Sequence, residues 1–167
     1  MRFVRGLATV LSAGAGTAML TAGPVLVVRG GRARAAIRAE LRSQMIAVPG
    51  KESAAEPAGD KGRDEGRVVE TGPEARAYAE VIGRNVLRAT GGRTYSQVSA
   101  ELLAAEGGDD KLAEARRTAF MGQMLRASLL NAHQAWELTS LVIGLGVLLT
   151  GTGAALVATG AALASDR

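Results

Sequence analysis

The chain has 167 residues, a formal net charge of +4 and an aromatic content of 3%. So few aromatic side chains exclude a large water-soluble core, and the absence of cysteine excludes disulfides, thiolate metal sites and a cysteine nucleophile. The basic excess lies in residues 29–48, directly after a hydrophobic segment, so it indicates membrane topology and not a nucleic-acid partner.

Residues 1–28 predict an N-terminal transmembrane helix. After two arginines the sequence is uncharged from Gly6 to Val28, which is long enough to cross the ~30 Å hydrocarbon core of a bilayer. Gly23-Pro24 predicts a kink or a break near the far end. A secretory signal peptide cleaved near Ala33-Arg34-Ala35 is the alternative. We favour an uncleaved span, because the apolar stretch exceeds the usual length of such signals.

Residues 29–48 predict a basic amphipathic juxtamembrane helix. Four apolar residues recur along one stripe, and three arginines spaced four apart follow its edge. Such arginines can lay their stems on lipid and hold their guanidinium groups among anionic phosphates. The stripe comprises Ile37, Leu41, Met45 and Val48, and the predicted headgroup contacts are Arg34, Arg38 and Arg42. A helix that extends the first span into water, with its charged side solvated, fits the same pattern.

The mixed-sign sequence of residues 49–72 predicts a flexible charged linker. It holds ten charged residues, two prolines and five glycines, with almost nothing to bury. A coil of this length would place its ends ~25 to 30 Å apart on average, which would let the following segment move relative to the first span.

Residues 73–137 predict a small helical module of three helices. The first begins at a proline, Thr94 and Gln97 have the spacing of a capping box that opens the second, and Asp109 or Asp110 caps the third. We expect the third helix to continue into the final span. Its predicted apolar face is Leu112, Ala119, Phe120, Met124, Leu125, Ser128 and Ala132. About 65 residues with so small a core are marginal alone, so we expect added stability from the membrane or a second copy.

Candidate chemical groups are few. His133 and Glu137 lie one helical turn apart, but they would supply at most two of the four ligands of a zinc site. The glycine pairs do not follow a strand in a phosphate-binding pattern, and no base accompanies the serines and threonines. We therefore predict no catalytic residue, metal, cofactor or small-molecule substrate. The neighbouring Trp136 is predicted to lie at the lipid headgroups, as in the aromatic belts of membrane proteins.

Residues 138–164 predict a second, glycine-rich transmembrane helix, followed by a short tail at 165–167. Its first twenty-six residues carry no charge and, at about 1.5 Å each, cover roughly 39 Å. Small residues fall on two opposite lines of this helix, and such lines predict helix–helix packing with two neighbours in lipid. The first line is Ser140, Gly144, Gly151, Ala155, Ala158 and Ala162, and the second is Gly146, Gly153, Gly160 and Ala164. The expected neighbours are another chain and the first span, through its line of Ala8, Ser12, Gly16 and Gly23.

These segments together predict an all-α integral membrane protein with two transmembrane helices and a small helical module between them. The second span is expected to be continuous with a long helix. Arginines beside the inner ends of both spans favour a cytoplasmic module, and a translocated module with cytoplasmic termini is the alternative. Seventeen arginines against three lysines indicate a GC-rich bacterial genome, and hence the bacterial inner membrane.

The sequence contains no motif that names a reaction, and no ionisable group lies within either span, which argues against a proton relay or a coupled transporter. We therefore favour a non-enzymatic scaffold or interaction protein that forms homo-oligomers or binds another membrane protein through its module. One alternative is a homo-oligomeric pore, similar in outline to small channels and holins, lined by Thr150, Thr152 and Thr159. A second is an exported helical domain with a cleaved signal peptide and a C-terminal anchor.

Overall fold

The computed structural model describes residues 2–47, 66, 68–105 and 108–165. They form four helices: α1 (Arg2–Ser43), α2 (Gly72–Ala89), α3 (Tyr95–Ala104) and α4 (Asp110–Ser165). Extended structure within this part of the chain is limited to one antiparallel bridge between Ala47 and Val68. The predicted all-α class is confirmed. Most of the predicted linker at 49–72 lies outside the described residues, as do Val48 and the last two residues of the tail.

Two of these helices, α1 and α4, are long and apolar enough to cross a membrane. Each contributes residues to two compact units. The first unit, called the helix pair below, comprises Met1–Ala36 and Glu137–Arg167. The second, called the module below, comprises Ile37–Trp136. The module therefore takes in the last part of α1, which the sequence had not assigned to it.

α1 is one continuous helix through Pro24, so of the kink or break predicted at Gly23-Pro24 the break does not occur. Residues 29–43 continue this helix and do not form a separate one. A proline removes one helical hydrogen bond, and packing against a neighbouring helix lets a membrane helix tolerate this loss. Gly23, directly before the proline, packs on the backbone of α4 and supplies that support.

Each short helix of the module begins at a capping box. Thr71 and Glu74 form a capping box at the start of α2, and Thr94 and Gln97 form the predicted capping box of α3. Asp109, not Asp110, caps α4, because its Oδ1 accepts hydrogen bonds from the backbone N–H groups of the second and third residues that follow it, at 2.8 and 3.2 Å.

The module core joins three separate parts of the chain. Leu41 of α1 is buried against residues of α2, α4 and the segment before α2, and Ile37 packs at its edge. The backbone N–H of Val69 donates to the carbonyl of Ile46 at 2.9 Å, which ties the segment before α2 to the end of α1. Within the predicted apolar stripe, Leu41 and part of Ile37 are therefore covered by protein, whereas Met45 is 77% exposed. The buried set is Leu41, Val69, Ala75, Ala79, Ile82, Val86, Ala119 and Leu129.

The buried face of α4 in the module differs from the predicted one. Phe120, Met124 and Leu125 are 49%, 56% and 47% exposed, so their predicted place in the core is wrong. The face turned inward alternates steps of three and four residues: Ala115, Ala119, Gly122, Arg126, Leu129, His133 and Trp136. Gly122 decides this register, because a Cβ at that position would collide with Val86 of α2.

Candidate functional site

Direct backbone contact between α1 and α4 is the main feature of the helix pair. A Cβ built on Gly16 would lie 2.8 Å from the carbonyl oxygen of Gly153, and one built on Gly153 would lie 2.7 Å from the carbonyl oxygen of Gly16. Any larger residue at either position would force the helices apart. Close approach of this kind supplies the dispersion contacts that hold helices together where apolar burial gives no advantage.

The contact repeats every seven residues along both helices. Gly23 meets Gly146 as Gly16 meets Gly153, and one further step of seven places Gly30 by the backbone carbonyl of Thr139, with the Ile143 side chain beside it. Because residue numbers rise along one helix as they fall along the other, the pair is antiparallel. A repeat of seven is the spacing that keeps one seam facing its partner in a left-handed pair of helices.

A polar contact lies at one end of this seam. The Nε of Arg34 donates to Thr139 Oγ1 at 3.2 Å, and its Nη2 donates to Ser140 Oγ. Thr139 is buried, and Arg34 is half-buried. The guanidinium thus satisfies two hydroxyl groups of α4, which fixes the helices at the end of the apolar seam. Hydrogen bonds to charged groups typically contribute about 1.5–3 kcal/mol each.

The two predicted lines of small residues have different surroundings. Gly146, Gly153 and Gly160 pack against α1. They face Gly23, Gly16 and Ala13, respectively. On the other line, Ser140 is bonded by Arg34, whereas a Cβ on Gly144 or Gly151 would meet nothing within 4 Å. The last three residues of that line, Ala155, Ala158 and Ala162, are exposed.

The arginines predicted to contact headgroups each have a protein partner. Arg34 bonds α4 as described, and the Arg38 guanidinium carbon lies 5.7 Å from the centre of the Trp136 ring. Arg42 donates to Glu70 at 2.7 Å, and this hydrogen bond, with the charge of the carboxylate, raises the pKa of the Arg42 guanidinium. Trp136 itself is only 9% exposed, packed on Gly72. The headgroup roles of these four residues stay predictions.

The threonines proposed to line a pore use their hydroxyl groups locally. Thr150 donates to the carbonyl of Gly146 and Thr159 to that of Ala155, each at 2.8 Å, one turn back in the same helix. Thr150 also lies against Gly23 of α1 and is not turned away from the pair. These two hydroxyl protons are therefore already satisfied within α4.

An apolar patch lies on the surface of the module. The Tyr95 and Phe120 rings are 5.9 Å apart at their centres, and Met121 and Met124 continue the surface along α4 at 63% and 56% exposure. These four residues are called the apolar patch below. Flexible methionines beside aromatic rings are typical of surfaces that bind other proteins. The sequence pattern assigns Phe120 and Met124 to the core and therefore does not predict this patch.

Within the described part of the chain, no group of three or more histidine, aspartate or glutamate residues could hold a metal ion. Comparison with protein families, curated proteins and solved structures found no match to this chain.

Proposed function

We propose that the protein is a two-span integral membrane protein whose helix pair lies in lipid and whose module is a non-enzymatic scaffold. The observation that carries this proposal is the exposure of the helix pair. In the most apolar stretch of each long helix, 11% of the residues are buried by the protein. The core helix of a water-soluble protein would be mostly buried, so these helices need a solvent other than water.

Packing of the pair supports an uncleaved first span. α1 contacts α4 at Gly16, Gly23 and Gly30, and Arg34 adds hydrogen bonds beyond them. Removing α1 as a signal peptide would uncover this whole face of α4, including the otherwise buried backbone at Gly146 and Gly153. Retention of α1 keeps the face covered.

Orientation of the proposed spans follows from the arginines. Five of them lie between residues 29 and 42, at the end of the first span, and positively charged residues are retained on the cytoplasmic side. We therefore place the module in the cytoplasm of a bacterium and the spans in its inner membrane. A periplasm-dependent phosphatase inserted after Gly59 should be inactive there, and the same reporter fused after Arg167 should be active. The opposite pattern would overturn this orientation.

The scaffold role rests on the apolar patch, whose four side chains are between 40% and 63% exposed. We propose that it binds a second copy of the chain or another membrane protein. A photoactivatable cross-linking residue in place of Met121 should trap a product in intact cells, whereas the same group in place of Arg88, an exposed position on α2, should not. Equal yields at both positions, or none at Met121, would refute this role. The mass of the product separates a homo-oligomer from a complex with another protein.

A further inference from the structure

Five arginines follow the apolar part of α1, and the protein engages them unequally. Arg34, Arg38 and Arg42 are held by Ser140, Trp136 and Glu70, as described above. Arg29 and Arg32 are exposed, and neither has a carboxylate or hydrogen-bond partner among the described residues. Two cations one turn apart are thus left without a counter-charge from the described residues.

These two arginines border an open groove of ≈ 350 Å³ on α1. Its remaining lining is apolar: Pro24, Val25 and Val28. The residues recur at steps of three and four, so they share one face of the helix. The seam residues Gly23, Val27 and Gly30, which meet α4, lie on another face, and this leaves the groove open.

We infer that this groove binds an anionic phospholipid, with the phosphate between Arg29 and Arg32 and an acyl chain along Val28, Val25 and Pro24. Arginine presents a planar fork of donors that matches phosphate oxygens, and the exposed apolar surface below it matches a hydrocarbon chain. The site rests on the proposed membrane location, since only at a membrane surface do the arginines lie among lipid headgroups while the apolar residues lie in hydrocarbon. It differs from general attraction to a charged surface, because it joins two specific cations to a groove.

The test uses the full-length protein, extracted in mild detergent and titrated with phosphatidylglycerol or phosphatidylcholine while bound lipid is counted by native mass spectrometry. Wild-type protein should retain phosphatidylglycerol in preference to phosphatidylcholine. The Arg29→Gln/Arg32→Gln variant should bind phosphatidylglycerol roughly tenfold more weakly or worse, since each arginine contributes to phosphate attraction. Arg116→Gln/Arg117→Gln makes the same change in net charge at two exposed arginines of the module and should bind as the wild type does.

Three outcomes would overturn the inference: equal loss in both double variants, unchanged binding in Arg29→Gln/Arg32→Gln, or displacement of the lipid by glycerol 3-phosphate, which lacks acyl chains. Resistance of each variant to alkaline carbonate extraction verifies that it is still embedded in the membrane. If Arg29→Gln/Arg32→Gln is still embedded and its lipid binding is unchanged, the lipid site is refuted, whereas the proposed membrane role still stands. Release of the wild-type protein by carbonate would refute both the lipid site and the membrane role.

Discussion

Gly23 of α1 and Gly146 of α4 lie so close that a Cβ on Gly146 would come within 2.7 Å of the Gly23 carbonyl oxygen. The same contact recurs one heptad away at Gly16 and Gly153. Side chains are thus excluded from the seam at two successive levels, and the helices are paired backbone to backbone. This pairing gives the helix pair a single register that can be tested position by position.

The register of α1 against α4 predicts which pair of introduced cysteines can form a disulfide. The Cβ of Ala13 and a Cβ built on Gly160 are 3.7 Å apart, within the range of natural disulfides. Since the chain has no native cysteine, the Ala13→Cys/Gly160→Cys variant should form an intramolecular disulfide on mild oxidation in membranes. Its yield is measured as a mobility shift that reductant reverses. Ala13→Cys/Gly151→Cys is the control, because Gly151 faces open space, and comparable intramolecular yields in the two variants would show that the register is wrong.

A large side chain at the contact between α1 and α4 should separate the two helices. Gly146→Leu places a side chain against the backbone of α1, and overpacking of this kind costs about 1–3 kcal/mol. In the cysteine-pair background it should sharply reduce the disulfide yield. Gly144→Leu makes the same change two residues away, where a Cβ meets nothing within 4 Å, and should leave the yield unchanged. Equal yields with Leu at either position would mean that α1 does not pack at Gly146.

The module should depend on Leu129, which is 2% exposed. Leu129→Ala removes buried methyl groups and should lower the free energy of unfolding by about 2–5 kcal/mol. Leu103→Ala, at a position that is 84% exposed, should change it by less than about 0.5 kcal/mol. Fluorescence of Trp136, the single tryptophan, follows denaturant unfolding from within the module. Similar unfolding midpoints for both variants would contradict this core.

Vesicles containing the purified protein should stay tight. The hydroxyl groups of Thr150 and Thr159 bond their own helix, and the described parts of both spans carry no ionisable group between Gly6 and Val28 or between Leu138 and Leu163. Release of an entrapped fluorescent dye should therefore match that of empty liposomes. Leakage that rises with the amount of protein would favour the pore over the scaffold.

Local signals in the sequence predicted local structure well. The capping box at Thr94 and Gln97 depends on residues three apart, and the charge-free stretches of α1 and α4 are read directly from composition. Glycines at 16, 23 and 30 recur every seven residues, and the predicted line of small residues in the first span contains only the first two of them. Gly30 lies among the arginines that follow the span, outside the apolar stretch from which the line was predicted.

Contacts between distant segments could not be read from the sequence. Leu41 packs with Val69 across a linker that offers no pattern of its own, so the stripe containing Leu41 resembled a surface for lipid. In α4, Gly122 and Arg126 turn inward while the larger Phe120 and Met124 turn outward, because the space available beside α2 sets the register. Hydrophobicity alone favours Phe120 and Met124 for the core, whereas the close approach of Val86 on α2 leaves room only for a glycine at position 122.

Extraction of cell membranes with sodium carbonate at high pH tests the central claim most directly, because it strips peripheral proteins and leaves embedded ones in the pellet. We predict that the full-length protein remains in the pellet, with its N-terminal methionine region intact by mass spectrometry, and leaves it only on addition of detergent. Recovery of the intact chain in the carbonate supernatant, or in buffer without detergent, would contradict the account, since the exposed apolar faces of α1 and α4 would then be stable in water.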